Sequence, residues 1–474
     1  MADDLLGGLA AIVGPGGVVT DGDRSRFLND WRDKVHGDAV AVVLPRSTEE
    51  VAAVVRLAAS QSVPVVPQGG NTSMCFGSVP HAGDRSIVLS LSRMNAIREL
   101  DREGSAVVAE AGTVLATLHE AAESVGRQFP LHLGAEGTAQ VGGLISSNAG
   151  GTGALRYGPM RDLVFGLEVV LPNGTVLSDL SALRKDNRGY NLNHLFIGAE
   201  GTLGVVTAAA LKLHPALHAD ADAFVSVASP AMALELLARM QDRFDTAVQA
   251  FELLSGSQIR IVEDMLPAVR SPLATLPDWA VVIHLGDPDH QAGLRERLED
   301  FLSGELSSGR VLDGVVARST AQAREFWKLR HSVTEANLKA GFGTTLDASV
   351  RVSAVPAFLE AASAALVEAF PDAIPVVVSH LGDGNVHFIA MFLYDRDGPE
   401  RDPAKTADDV QVLINDIALA HGGSFSAEHG IGRKLVGELK RLSDPNRYDL
   451  MLQIKHLLDP AGIMNPGVLF PPGS

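Results

Sequence analysis

The sequence predicts an α+β protein of two domains, and three observations carry that reading. With 474 residues, the chain holds material for two or three domains at roughly 100–200 residues each. Its first 216 residues alternate short apolar runs with helical patterns and glycine-rich loops. Beyond residue 216 the composition shifts to Ala-rich helices interleaved with strands, one pair of which carries a hairpin signal.

Residues 39–44 (AVAVVL) read as a strand stopped by Pro45. Ser47 with Glu50 three residues on is a capping-box pattern, so a helix is expected from there to Ser60. A second strand, 63–67, runs straight into Gly69-Gly70-Asn71-Thr72-Ser73, a loop at the C-terminal end of a strand, where ligands commonly bind. Further strands are expected at 86–91, 106–109, 164–171 and 203–213, with Pro172-Asn173-Gly174 turning the third. In the second half, helices are expected over 230–243, 319–340 and 354–369, and a strand over 279–285. The acidic, Pro-containing stretch 395–405 reads as a solvated loop.

Charge and cysteine usage narrow the function. Against 39 Lys+Arg stand 57 Asp+Glu, a net charge of −18. Such a surface repels phosphate backbones and anionic lipid, so nucleic acid and membrane surfaces are not expected partners. The single cysteine, Cys75, excludes an intrachain disulfide, a Cys-rich zinc site and a chain-encoded iron–sulfur cluster, and itself reads as a small buried apolar residue. No segment reaches the ~20 apolar residues that span a bilayer. The opening MADDLLGGLA carries two aspartates and neither a basic n-region nor the Arg-rich character of a transit peptide, so a cytoplasmic location is expected.

Residues 134–158 hold eight glycines in 25 positions, and 198–204 (GAEGTLG) adds a third glycine loop to the two already named. Glycine lets backbone N–H groups approach a phosphate closely, although tight turns also select it. No Gly-Lys-Ser/Thr follows any of these loops, and none forms a Gly-x-Gly-x-x-Gly in strand–turn–helix context. The pattern suggests a phosphate-bearing ligand without naming it.

Ser379-His380-Leu381-Gly382-Asp383-Gly384-Asn385-Val386-His387 lies between two apolar runs. Asp-Gly there signals a two-residue hairpin, which would set His380 directly opposite His387. Cross-strand partners have Cβ atoms ~4.5–5.5 Å apart, so the two imidazoles are either surface residues or ligands of one divalent ion. Glu428-His429 lies in a Gly-punctuated segment, Ser426 to Gly432. Two histidines and one carboxylate make a three-ligand site with an open position, but spacing alone does not join residue 428 to the hairpin. Arg330, among Arg324 and Lys328, reads either as a helix-surface arginine or as a carboxylate clamp.

Pro67-Gln68-Gly69-Gly70-Asn71-Thr72-Ser73, Val141-Gly142-Gly143 through Asn148-Ala149-Gly150-Gly151, and Ile197-Gly198-Ala199-Glu200-Gly201-Thr202-Leu203-Gly204 closely resemble the FAD-binding domain of vanillyl-alcohol-oxidase-type flavoproteins. Over nearly the whole chain the similarity is to the FAD-linked D-2-hydroxyacid dehydrogenase branch, which includes D-2-hydroxyglutarate and D-lactate dehydrogenases. The resemblance implies a two-subdomain FAD-binding domain over 1–216 and an α+β substrate domain with an antiparallel sheet over 217–425. It further implies a C-terminal segment, 426–474, that packs back on the FAD domain. It implies cofactor contacts from residues 67–73, Gly77, Ser78, Gly137, Thr138, Gly142, Gly143, Ser147, Asn148, Gly150, Gly151, Tyr157, Glu200, Gly201, Gly204, Val205 and Asn465. The loop at 67–73 offers no His, so noncovalent FAD is expected.

The same resemblance implies His380, His387 and Glu428 as ligands of a divalent metal, Zn2+ before Mn2+ or Fe2+. It implies His429 as the base at the substrate hydroxyl, with Arg330 and Thr334, one helical turn on, holding the substrate. The expected reaction is oxidation of a D-2-hydroxy acid to the 2-keto acid by hydride transfer to flavin. With no internal relay, electrons leave to an external acceptor, which the resemblance suggests is an electron-transfer flavoprotein; a homodimer is also compatible. Alternatives are a metal-independent flavin oxidase or alcohol dehydrogenase of the same fold, a 2-His-1-carboxylate Fe(II) enzyme, and an FAD-binding subunit that does not turn over. Three positions depart from the hydroxyglutarate pattern: Thr345 for lysine, Ile389 for asparagine, and Arg351 for proline. The first two disfavour a second substrate carboxylate. In the closing motif, Leu457–Leu469, Val468 replaces the usual lysine, so backbone rather than charge contacts are expected from it.

Overall fold

The computed structural model describes residues 2–83, 85–291, 293–394 and 401–473. The chain forms two compact units, the first comprising Met1–Gly151, Tyr157–Ala216 and Glu428–Ser474, the second Thr152–Arg156 and Leu217–Ala427.

In the first unit, Ala41–Val43 and Val65–Gln68 flank Ile87–Ser90 in parallel, joined by the helix Thr48–Ser60, and Val18–Val19 closes one edge antiparallel. Ser47 Oγ caps that helix by accepting from Glu50 N at 3.3 Å, while the Glu50 carboxylate accepts from Arg46 N at 2.7 Å. The capping box therefore closes one residue earlier than the usual reciprocal pair. A second, antiparallel sheet runs in the order Ile97–Asp101, Ala106–Glu110, Val205–Lys212, Val164–Val170, Val176–Ser178. One apolar cluster, with Val65, Leu89, Val107, Ile145, Val169 and Leu211 buried in it, joins both sheets. Each such side chain contributes about 1.5–3 kcal/mol on burial.

The C-terminal segment returns to this unit. Val65 N donates to Ile463 O and Asn465 N to Val65 O, both at 2.8 Å, so the closing motif is held through backbone as its Val468 leads one to expect. The charge contact comes instead from the preceding helix, Pro445–Leu458. There buried Lys455 Nζ reaches Asp459 Oδ2 at 2.5 Å and Thr202 O and Met464 O at 2.9 Å.

The second unit is built on a seven-stranded antiparallel sheet in the order Asp313–Val316, Ala219–Val227, Trp279–Asp287, Val248–Ser255, Ile374–His380, Asn385–Leu393, Gly341–Ser349. Alternation along its strands sends Leu346, Val377 and Phe388 into one core and Val376, Val378 and Ile389 into the other. Helices Pro230–Phe244, Leu294–Ser307, Val355–Ala369 and Pro403–Ala420 cover the first face; Gly256–Met265, Thr320–His331 and Val333–Ala340 cover the second. Val352–Ala369 is long and apolar enough to be weighed as a membrane span. Its Val355, Phe358, Leu359, Ala362 and Leu366 are buried in the core of the second unit.

Three expectations need correction. The helix over 319–340 is two helices, Thr320–His331 and Val333–Ala340, parted at Ser332. Of the loop at 395–405, residues 395–400 lie outside the described residues, and Pro403 onward is already helix, capped by Asp402 Oδ1 accepting from Ala404 N at 2.9 Å. The hairpin register is shifted by two: Val378 pairs with His387, and His380 with Asn385. Leu381 is buried and donates its N–H to Phe251 O on the neighbouring strand, Asp383 Oδ1 accepts from Asn385 N, and Gly384 has φ of 82°; the turn therefore takes four residues rather than two. A shift of two preserves the face, so His380 and His387 remain neighbours on the diagonal.

Candidate active-site residues

The sheet of the second unit places a buried carboxylate beside a histidine. Glu252 and His380 are cross-strand partners, and Glu252 Oε1 lies 2.7 Å from His380 Nδ1. A carboxylate only accepts, so Nδ1 carries the hydrogen and the lone pair sits on Nε2. Glu252 Oε2 accepts from Arg330 Nε at 2.8 Å. Burial works to raise the Glu252 pKa, but its interactions with His380 and the Arg330 guanidinium overcome it and hold the group down at about 2. This hydrogen bond engages the Nε of Arg330 rather than its terminal N–H groups.

The His380 and His387 rings stand edge-to-face with centroids 5.4 Å apart. Asp347, on the adjacent strand, is the cross-strand partner of His387, and its Oδ1 lies 3.6 Å from His387 Nδ1 while accepting from Asn385 Nδ2 at 3.0 Å. Thr345 and Ile389 are also direct partners, on the same face as His387. Thr334 is exposed near the start of the helix Val333–Ala340, across the Ser332 junction from Arg330. Arg351 is exposed.

In the first unit the glycine loops converge. A Cβ on Gly70 would stand 2.0 Å from Thr138 O, and one on Gly201 3.1 Å from the Pro67 ring, so segments 67–73, 137–143 and 198–205 touch through positions that exclude side chains. Asn71 (φ 55°) donates from Nδ2 to Asn29 O at 2.7 Å and accepts from Ser78 Oγ at 2.8 Å, and Gln68 Nε2 donates to Ser78 O at 2.8 Å. These polar side chains fold the loop on itself. Gly142 packs on Ala111, Asn148 accepts from Arg161 N at 2.9 Å, Ser147 donates to Gly143 O at 3.0 Å, and Tyr157 accepts from Gln128 at 3.2 Å. Asn465 Nδ2 donates to Gly77 O at 2.9 Å and to Glu200 O at 2.7 Å.

Glu200 does something the sequence did not indicate. Its carboxylate accepts from Ile431 N at 2.8 Å and Gly432 N at 2.9 Å, directly after Glu428 and His429. Burial raises its pKa to about 7 despite those two backbone donors. The same loop is held by Cys75, whose Sγ donates to Gly430 O at 3.3 Å and whose carbonyl accepts from Arg433 N at 2.9 Å. Glu428 and His429 therefore sit on a fixed loop, each less than a quarter exposed, and a Cβ on Gly150 would stand 3.3 Å from Glu428 Oε2. Glu252, Asp347 and the loop-holding role of Glu200 escaped sequence reading. The available signal was a lone acid inside an apolar strand, as in Val248–Ser255.

Comparison with known proteins follows this geometry. Residues 39–179 match the family described as FAD binding domain, and residues 218–469 the one described as FAD linked oxidases, C-terminal domain. A mitochondrial D-2-hydroxyglutarate dehydrogenase of Arabidopsis thaliana is 36% identical over 97% of this chain and 80% of its own length. One of Bos taurus, also mitochondrial, is 35% identical over 99% and 84%. The chain belongs to the FAD-linked D-2-hydroxyacid dehydrogenases.

As a member of that family it is an FAD-dependent enzyme that oxidises a D-2-hydroxy acid. Its fold is the vanillyl-alcohol-oxidase type: substrate-bound p-cresol methylhydroxylase superposes with a TM-score of 0.74 at 17% identity, over 99% of this chain and 97% of the other. The expected cytoplasmic location is overturned by the mitochondrial relatives. A chain with a single cysteine carries no disulfide signal to distinguish one compartment from another.

The dehydrogenase's first unit fits FAD. Gln140 Oε1, over Gly69, and Asn465 Oδ1 are buried without a hydrogen-bond partner among the described residues, as acceptors awaiting a donor would be. In the second unit the His380 tautomer, set by Glu252, presents Nε2 as a metal ligand would, with a carboxylate behind it.

Proposed function

We propose that this dehydrogenase takes a D-2-hydroxy monocarboxylate, with Arg330 clamping its carboxylate, Thr334 adjoining it and His429 accepting the hydroxyl proton. The observation that carries the reading is the buried Glu252 carboxylate, which orients Arg330 and His380 at once. Neutral imidazole is the side chain suited to take a proton near pH 7, and a loop fixed by Glu200 and Cys75 suits a base whose geometry must not drift. Bound FAD would supply the hydride acceptor for C2. We assign it to the backbone of 67–73, to Gly77, Ser78, Gly137 and Thr138, to Gly142, Gly143, Ser147, Asn148, Gly150 and Gly151, and to Tyr157, Glu200, Gly201, Gly204, Val205 and Asn465. The pairing of Thr345 with Ile389 beside His387 supports a monocarboxylate, since neither side chain can neutralise a distal carboxylate.

We further assign His380, His387 and Glu428 to a divalent cation, which would supply Lewis acidity at the substrate hydroxyl. Catalysis without metal is the second reading, favoured by the Asp347 carboxylate, which lies 3.6 Å from His387 Nδ1 and can hold that imidazole without an ion. Anaerobic mixing of the FAD-loaded enzyme with D- and L-2-hydroxy acids tests the function: the D-enantiomer bleaches the flavin and the L-enantiomer does not. Equal bleaching by both, or by neither across a panel of chain lengths, overturns it. Exhaustive chelation separates the two metal readings, since full activity in metal-free enzyme leaves the second.

A further inference from the structure

We propose that His119, His132 and Glu136 form a divalent transition-metal site in the first unit, independent of the residues assigned above. One nitrogen from each imidazole and a carboxylate oxygen lie within 4.8 Å of one another. His119 projects from the helix Leu115–Glu123, and His132 and Glu136 from the loop that follows Arg127–Gln128. Backbone bonds hold helix and loop in register: Leu115 N donates to Ala139 O at 2.9 Å and Ala116 N to Glu136 O at 3.1 Å.

The hydrogen positions argue for a cation. His119 Nε2 lies 3.0 Å from Leu131 O, and a carbonyl only accepts, so Nε2 carries the hydrogen and Nδ1 the lone pair. That Nδ1 faces Glu136 Oε2 at 3.9 Å, a lone pair turned toward a carboxylate oxygen, which a shared cation satisfies. The arrangement is the one metal-bound histidines adopt, with the far N–H donated to a backbone carbonyl that fixes the ring. The other carboxylate oxygen, Oε1, is 2.9 Å from His132 Nδ1, and the two rings lie side by side with centroids 4.8 Å apart. His119 is mostly buried, whereas the His132 side chain is 52% exposed, so the site is anchored on one side and open to exchange on the other.

Two imidazoles and one carboxylate suit Zn2+, Co2+ or Fe2+ rather than Mg2+ or Ca2+, which prefer oxygen-only shells. Binding displaces the proton shared by His132 and Glu136, which passes to solvent as the nitrogen and oxygen become ligands. The bound ion would tie the helix to the loop that carries Gly137 and Thr138.

The test uses FAD-loaded, chelator-stripped enzyme carrying His380→Asn and His387→Asn, so that binding at those histidines is silenced. Titration with Zn2+ by calorimetry, and with Co2+ by visible absorbance, should show one equivalent, lost when His132→Asn and Glu136→Gln are added. An unchanged stoichiometry, or no binding at all, overturns the site. Should the added substitutions impair folding, the parent protein decides: Zn2+ should slow diethyl pyrocarbonate modification of His132, read by mass spectrometry. Unaltered modification would refute the site.

Discussion

At the residue scale, two glutamates, Glu252 buried and Glu200 partly buried, are shifted in opposite directions, and the sign of each gives a different pH dependence. Glu252 is lowered from 4.5 to about 2, so its contribution to stability is complete above pH 4.5 and is lost as pH falls toward 2. Glu200 is raised from 4.5 to about 7, so its contribution is complete below pH 4.5 and is lost as pH rises through 7. Unfolding free energy measured against pH should therefore lose its neutral-side fall in Glu200→Gln, which keeps an acceptor oxygen for Ile431 and Gly432. An unchanged slope between pH 5 and 8 would place the ionisation elsewhere. Glu252→Gln should instead destabilise at neutral pH by about 3–5 kcal/mol, the usual cost of leaving a buried charge without its partner. For His429→Asn we expect retained FAD and a fall of about 10²–10⁴-fold in the anaerobic reduction rate, the usual worth of a general base. Stopped-flow absorbance of the flavin reads this directly, and an unaltered rate removes the assignment.

At the element scale, what was legible in the sequence was local and what was not depended on tertiary partners. The Ser47 cap, the Pro172-Asn173-Gly174 turn and the first unit's strands follow from short-range chemistry. The shifted hairpin register does not, because it is decided by Leu381 bonding to a strand more than a hundred residues away. Likewise the break at Ser332 is invisible to helical periodicity, which continues through it. Among the site residues, His380 and His387 announced themselves as a motif, whereas Glu252 became meaningful only when strand pairing set it beside His380. Lys455 belongs with Glu252: its helix gave no sign that the amine is buried against Asp459, Thr202 O and Met464 O. Lys455→Met should strand Asp459 in the core and lower stability by about 3–5 kcal/mol. Because Met464 adjoins Asn465, the same variant should release flavin faster on dilution, measured by recovery of FAD fluorescence.

At the scale of the whole molecule, a net charge of −18 meets a substrate that is itself an anion. The general field repels the approaching acid, and under the proposed assignment Arg330, held by the Glu252 carboxylate, would supply attraction only at contact. A dianion feels the general repulsion twice as strongly as a monoanion. Long-range repulsion is screened as the Debye length shortens from about 30 Å at 0.01 M salt to about 8 Å at 0.15 M. The ratio of kcat/KM for a D-2-hydroxy monocarboxylate over a dicarboxylate such as D-2-hydroxyglutarate should therefore fall as ionic strength rises across that range. The preference should persist at high salt, where the uncharged Thr345–Ile389 pair alone discriminates. Thr345→Lys should then narrow it by giving the distal carboxylate a partner, with little change for the monocarboxylate. Steady-state kinetics on both acids at two salt concentrations, with and without that substitution, separates the global field from the local pair. A ratio indifferent to salt would leave discrimination entirely to the residues around His387, and a ratio indifferent to Thr345→Lys would take it away from them.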